Sequence, residues 1–280
     1  NGHSWIDCIC FLNITSIISE GWIGMYAKRL CQYIKAGNWK RFSIHIYKHM
    51  PVLNSDKHKG VMTQILKDIY SDVSISSLLG FKGGTAALLF YGLPRFSVDL
   101  DFDLLHDSDE NRGLVFLKVR QIIERYGEIK DEQQKLATLF FSLSYGMGEH
   151  QIKVEINTRN VGAEYEMKSY LGIAALVMTR ASMCAAKLVT LTRRKRFAAR
   201  DLYDVYYFLK QGWEIDEAVF REYDIVSARD YLETCAVFTE NIPENALLAG
   251  LGDLIDERQK AFVKHELKKE VVFLLRARAV

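Results

Sequence analysis

A chain of 280 residues, 49% hydrophobic and 26% charged, is too apolar for a disordered protein and long enough for a sizeable core in about two domains. Its 37 Lys+Arg against 35 Asp+Glu leave a net charge of +2, which excludes coating of nucleic acid by bulk charge but not local basic patches. Three prolines and no repeated block exclude Pro-rich linkers, low-complexity tails and solenoids.

Residues 1–49 differ in composition from the rest of the chain. They hold three of the five cysteines and three of the four tryptophans (Trp5, Trp22, Trp39), with six basic residues and two acidic ones, Asp7 and Glu20. They read either as a packing or partner-binding extension or as an addition ahead of a natural start at Met50, and we favour the second. The uncharged run 8–19 is shorter than the roughly 18–20 residues of a spanning helix and lacks the basic flank of a signal peptide. No membrane association is expected, and a cytoplasmic location is. Cys8, Cys10, Cys31, Cys184 and Cys235 show no zinc-site spacing, and their odd number suits a reducing compartment.

The apolar positions Val61, Met62, Ile65, Leu66, Ile69 and Tyr70 predict an amphipathic helix over 56–72. A short strand over 78–82 stops at Gly83-Gly84, a helix comes next over 85–91, and the turn Gly92-Leu93-Pro94 leads to a second strand, 98–105. Beyond it lie a helix over 113–126 and strands over 138–145 and 151–157. From about residue 172 the periodicity is helical, with helices over 179–191, 199–209, 227–238 and 257–276. This gives an α/β unit succeeded by a helical unit, with the boundary in 160–175.

Three blocks carry chemistry. Two glycines between a strand and a helix let a ligand approach the backbone, beside a helix N-terminus that suits phosphate; alone, such a pair more often just turns the chain. Asp99 and Asp101 are two apart on the predicted strand, so both side chains take one face. Such carboxylates repel unless solvated, protonated or bridged by a cation such as Mg²⁺. Asp103 continues that face, and a solvent role past the strand end is expected for it. Glu155, in Lys153-Val154-Glu155-Ile156-Asn157, would complete a three-carboxylate cluster able to hold two metal ions if its strand lies beside 98–105. In the third block, Lys187 sits among Ala185, Ala186, Leu188 and Val189, an expensive place for an unpartnered ammonium. Asp201 and Asp204 share one helix face, and either a triphosphate or Asp201 could partner Lys187. The run Arg193-Arg194-Lys195-Arg196 reads equally as a solvated loop or as a contact for a nucleic-acid backbone. The scattered histidines suggest no metal site. Tyr203, Tyr206, Tyr207 and Phe208 are expected to pack between helices.

Gly83-Gly84-Thr85, then Arg95-Phe96-Ser97-Val98-Asp99-Leu100-Asp101, then a Lys187 helix and the run Arg200-Asp201-Leu202-Tyr203-Asp204 together resemble the AbiEii/AbiGii toxin family. That family belongs to the DNA polymerase β-like nucleotidyltransferase superfamily. The resemblance covers roughly residues 55–275 and omits 1–49. It implies an α+β fold: a polymerase β-like nucleotidyltransferase core with a mixed sheet (50–170), then a C-terminal helical domain (171–280). It implies Mg²⁺-dependent transfer of a nucleoside monophosphate from an NTP, with release of pyrophosphate, by the toxin of a bacterial toxin–antitoxin or phage-defence (abortive infection) system. The 3′ end of tRNA, or another RNA, is the acceptor it suggests, and a cognate antitoxin the partner. Transfer to a protein or small-molecule hydroxyl, or a catalytically silent homologue that binds a partner, are the alternatives. Carried over by motif, Gly83, Gly84 and Thr85 would form the phosphate loop, with Ser97 beside it. Asp99, Asp101 and Glu155 would hold metal, Lys187 would contact the triphosphate and Asp201 would orient it. Where the superfamily more usually has Gly-Ser this chain has Gly-Gly-Thr, so a hydroxyl contact to phosphate would have to come from Thr85.

Overall fold

The computed structural model describes residues 54–147, 149–159 and 161–279; segment 1–49, with both readings of it, lies outside the described residues. The first helix, α1 (Ser55–Ser71), is capped by Asn54, whose side chain accepts from the Lys57 amide at 3.1 Å. Its predicted apolar stripe is realised, with Met62, Ile65, Leu66 and Ile69 essentially inaccessible. Then come β1 (Leu79–Lys82), α2 (Gly83–Tyr91), β2 (Leu100–Leu104), α3 (Asp109–Ile123), β3 (Glu128–Lys135), β4 (Thr138–Ser144), β5 (Ile152–Asn157), β6 (Tyr165–Tyr170) and β7 (Ile173–Met178). The chain continues through the helices α4 (Arg180–Arg193), α5 (Ala199–Lys210), α6 (Glu217–Arg221), α7 (Ala228–Glu240), α8 (Glu257–His265) and α9 (Leu267–Arg278).

Seven strands form one mixed sheet in the order β3-β4-β5-β2-β1-β7-β6. The centre sets the site: β2 runs antiparallel to β1 and parallel to β5. In β5 the period-two pattern is plain, with Ile152, Val154 and Ile156 buried while Lys153 and Glu155 are exposed. Buried side chains from α1 through α9 join a single hydrophobic cluster that runs through both sheet and helices.

The short helix α6 has no counterpart among the predicted elements, and the elements differ from expectation chiefly in three further places. Glu128-Ile-Lys-Asp-Glu-Gln-Gln-Lys135 has no apolar alternation, yet it forms edge strand β3 through an antiparallel ladder to β4; charged edge strands resist pairing with other chains. The hairpin β6–β7 carries the sheet past the region expected to turn helical, and β7 joins β1 in parallel at Phe81↔Val177. The predicted helix 257–276 is two helices that break at Glu266, whose φ of −124° is not helical.

Candidate active site

The turn between β1 and α2 is built for close approach. Gly83 has φ +78°, and a Cβ there would lie 2.3 Å from Asp101 Oδ2. A Cβ on Gly84 would lie 2.6 Å from Arg95 Nη2 and 2.8 Å from Ser97 Oγ. Both positions therefore exclude a side chain, the first also by backbone conformation. Lys82 gives α2 no side-chain cap, so the helix presents its N-terminal amides and positive dipole end at the cleft.

Thr85 does not supply a hydroxyl there. It is fully buried, and its Oγ1 donates to the Asp99 carbonyl; Ser97 is the hydroxyl that lines the cleft beside Gly84. Asp99 lies just ahead of β2 rather than in it. The carbonyl before it is fixed as well. His58, fully buried in the first turn of α1, bonds Val98 O through Nε2 at 2.9 Å and Tyr145 Oη through Nδ1 at 2.8 Å. Burial holds the imidazole below its usual pKa, so Nε2–H donates to Val98 and Nδ1 accepts from Tyr145.

Asp101 sits opposite Glu155 in the β2–β5 register, which places the expected strand beside Asp99–Asp103. Burial pushes the Asp101 carboxyl up to about 7, with Asp99 and then Glu155 adding repulsion. Asp99, Asp101 and Glu155 line one cleft, and such carboxylate oxygens are a donor set that Mg²⁺ would match. Among the described residues no group of three His, Cys, Asp or Glu is closed tightly enough to enclose an ion. Asp103 departs from its expected solvent role. It is buried, and Lys82 Nζ (2.5 Å), Asn157 Nδ2 (2.6 Å) and Tyr165 Oη donate to it.

The opposite wall comes from α4 and α5. Met183, Ala186, Lys187 and Thr190, one stripe of α4, line the cleft together with Arg194. Lys187 Nζ lies 2.8 Å from Asp201 Oδ1 and 3.0 Å from Asp204 Oδ2. Burial would discharge this lysine, but Asp204 and Asp201 outweigh it and raise its pKa. Asp201 resists the upward push of burial because Lys187 and Arg194 hold it down, to about 2. Arg95 binds Asp204 in a two-point fork, at 2.5 and 2.7 Å. Asp201 therefore orients Lys187 and Arg194, so both partners considered for Lys187 remain compatible: its ammonium is paired to Asp201 and still lines the cleft. Arg200 Nη1 stands 3.8 Å from Asp99 Oδ2.

The resulting cleft has a volume of about 420 Å³ and brings together Gly83, Gly84, Ser97, Asp99, Asp101, Glu155, Lys187 and Asp201. Of the expected site residues only Thr85 faces away. The sequence pattern assigns no role to Arg95, Asp204, Arg200, His58 or Tyr223. The first three lie inside the family motifs; His58 and Tyr223 carry no local signal.

A mixed sheet with two carboxylates on adjacent strands, a Gly-Gly turn and a cationic helix wall is the arrangement expected of a nucleotidyltransferase. The fold is shared with two H. pylori structures. JHP933 is 22% identical, with a TM-score of 0.50 over 80% of this chain and 94% of that one. The other, assigned as a nucleotidyltransferase, is 22% identical, with a TM-score of 0.51 over 80% and 92%. MenT4, a nucleotidyltransferase toxin of Mycobacterium tuberculosis H37Rv, is 20% identical over 77% of this chain and 82% of its own, with a TM-score of 0.49. No curated protein matches the sequence. Residues 64–273 match the family described as nucleotidyl transferase AbiEii toxin, type IV TA system, and the chain belongs to that family.

Proposed function

We propose that this nucleotidyltransferase moves a nucleoside monophosphate from an NTP to an acceptor hydroxyl at the 3′ end of tRNA, as the toxin of a toxin–antitoxin or abortive-infection system in the cytoplasm. The observation that carries the chemistry is the pairing of Asp101 with Glu155 across β2 and β5, facing Lys187. Asp99, Asp101 and Glu155 would hold Mg²⁺. Such ions, when bound, favour attack by the acceptor hydroxyl and neutralise the leaving pyrophosphate. The chain's own groups position the triphosphate. The α2 amides at Gly83–Gly84 and the Ser97 hydroxyl receive phosphate oxygens, and Lys187 adds a fixed positive charge. Catalysis is then mainly positioning and charge neutralisation.

The RNA acceptor is supported by the exposed run Arg193–Arg196 beside the cleft, where a phosphate backbone gains most. Family membership supports a cognate antitoxin as partner. No helix among the described residues is long and apolar enough to cross a membrane. The domains we propose are a nucleotidyltransferase core and a C-terminal helical domain.

The test is incubation with Mg²⁺, total bacterial tRNA and each α-labelled NTP, with an Asp99→Ala/Asp101→Ala double variant as control. Label in tRNA with the wild type only is the expected result. Label on protein or a small molecule would replace the acceptor, and no transfer to any acceptor would overturn the reading.

A further inference from the structure

Tyr223 lines the cleft, yet neither phosphate binding nor metal binding uses it. It sits at the end of α6 in a tight turn: its amide donates to Phe220 O at 3.0 Å, Asp224 adopts φ +57°, and Ile225 N returns to Phe220 O at 3.1 Å. Phe220 and Ile225 are buried and anchor that turn. Arg193, at the last turn of α4, holds Tyr223 twice. Its Nη2 donates to the Tyr223 carbonyl at 2.6 Å, and its guanidinium lies 5.6 Å from the ring centroid. Val161 lines the same cleft. Its neighbour Gly162 packs so closely that a Cβ would lie 2.9 Å from Glu222 Cγ and 3.1 Å from Ala218 O. An aromatic ring backed by an arginine, and an aliphatic side chain, thus line the same cleft as Gly83, Gly84 and Lys187.

We infer that Tyr223, braced by Arg193, is the stacking platform for the base of the incoming NTP, with Val161 beside it. This rests on the nucleotidyltransferase reading and adds a base-binding subsite to it. Arg193, which braces the ring, lies six residues beyond Lys187 on α4, an axial rise of roughly 9 Å, so the ring's anchor is separated along the helix from the ammonium that faces the triphosphate. Stacking on a tyrosine face is tolerant of base identity, because every base presents a π surface. The platform therefore contributes affinity for a nucleobase more than choice among the four.

The experiment compares wild type, Tyr223→Phe and Tyr223→Leu, full chain with Mg²⁺, by calorimetric binding of each NTP and of inorganic tripolyphosphate. Tyr223→Leu should weaken NTP binding on the order of tenfold, Tyr223→Phe should stay close to wild type, and tripolyphosphate should bind all three alike. Unchanged NTP affinity in Tyr223→Leu overturns the platform. So does an equal loss for NTP and tripolyphosphate, which would mean a structural effect on the cleft. Unchanged NTP binding with a raised KM for the RNA acceptor would assign the ring to the acceptor's terminal base and overturn the platform for the NTP. A wild type that binds neither ligand removes the nucleotidyltransferase reading itself, and the platform with it.

Discussion

Asp101 and Glu155 face each other across two parallel strands, and the Asp101 carboxyl is raised to about 7 by burial, by Asp99 and by Glu155. A carboxyl whose folded pKa exceeds its unfolded value binds more protons in the native state. Its contribution to stability is favourable at low pH and is lost as pH rises from about 4 to about 7. Without divalent cations, Asp101→Asn should remove that slope and melt higher than wild type at pH 8. Thermal denaturation at pH 5.5 and pH 8 in a chelator checks this; an Asp101→Asn variant no more stable than wild type at pH 8 would refute it.

Mg²⁺ should act on the same repulsion with opposite sign. Added to the wild type, it should raise the melting temperature more at pH 8 than at pH 5.5, since protons compete for the same oxygens. Asp99→Ala and Glu155→Ala should lose most of that increase and lose nucleotidyl transfer while remaining folded. A Mg²⁺ response that survives in both variants would place the ion elsewhere.

Arg95 and Asp204 form a different kind of pair, with side-chain exposures of 2% and 0%. Removing Arg95 leaves the buried Asp204 carboxylate with Lys187 as its one remaining ion-pair partner among the described residues, so Arg95→Met should cost about 3 kcal/mol, the low end for breaking a buried pair. Arg200→Gln breaks a looser, more exposed contact to Asp99 and should cost no more than ~1 kcal/mol. Urea denaturation of the two variants gives the comparison, and equal losses would contradict the burial argument.

The legible part of this protein is that fixed by local pattern. The stripe of α1 and the alternation in β5 both come from side-chain periodicity, and the Gly-Gly turn with its paired aspartates marks the wall of the cleft. Thr85 departs from expectation because nothing local says that its hydroxyl finds the Asp99 carbonyl. Asp103 reads as solvated in the sequence because its partners, Lys82, Asn157 and Tyr165, come from three other strands. Strand β3 leaves no periodic trace because an edge strand takes its structure from its neighbour's ladder rather than from burying a face. The pairing of β2 with β5, on which the carboxylate cluster depends, is long-range in the same sense.

His58 shows how far such long-range support reaches. It holds the Val98 carbonyl, one residue from Asp99, while Thr85 holds the carbonyl of Asp99 itself. His58→Phe leaves Val98 without its donor and should cost about 1–3 kcal/mol, with kcat falling more than the KM for NTP changes. His58→Gln, able to donate, should recover part of both. The imidazole's pKa is lowered by burial, so its contribution is present above about 6.5 and lost as pH falls through the depressed value. This is opposite in sign to Asp101, and His58→Gln should flatten the acid side of the stability profile. An unchanged acid limb would mean that another group controls it.

The cations at the end of α4 divide by what they touch. Arg193 is bonded to Tyr223 and Arg194 to Asp201, whereas Lys195 and Arg196 are exposed and make no ion pair among the described residues. If the acceptor is RNA, those two are the ones free to meet its backbone. Each phosphate contact to a single strand releases about 0.7 of a counterion. Lys195→Gln/Arg196→Gln should therefore weaken RNA binding at low salt and lower the slope of log K against log salt by roughly 1.4. NTP affinity should be untouched, because neither residue lines the cleft. Binding of labelled tRNA across a salt series gives both quantities from one titration. An unchanged slope would return the run to an ordinary solvated loop, and a parallel loss of NTP affinity would indicate damage to the cleft.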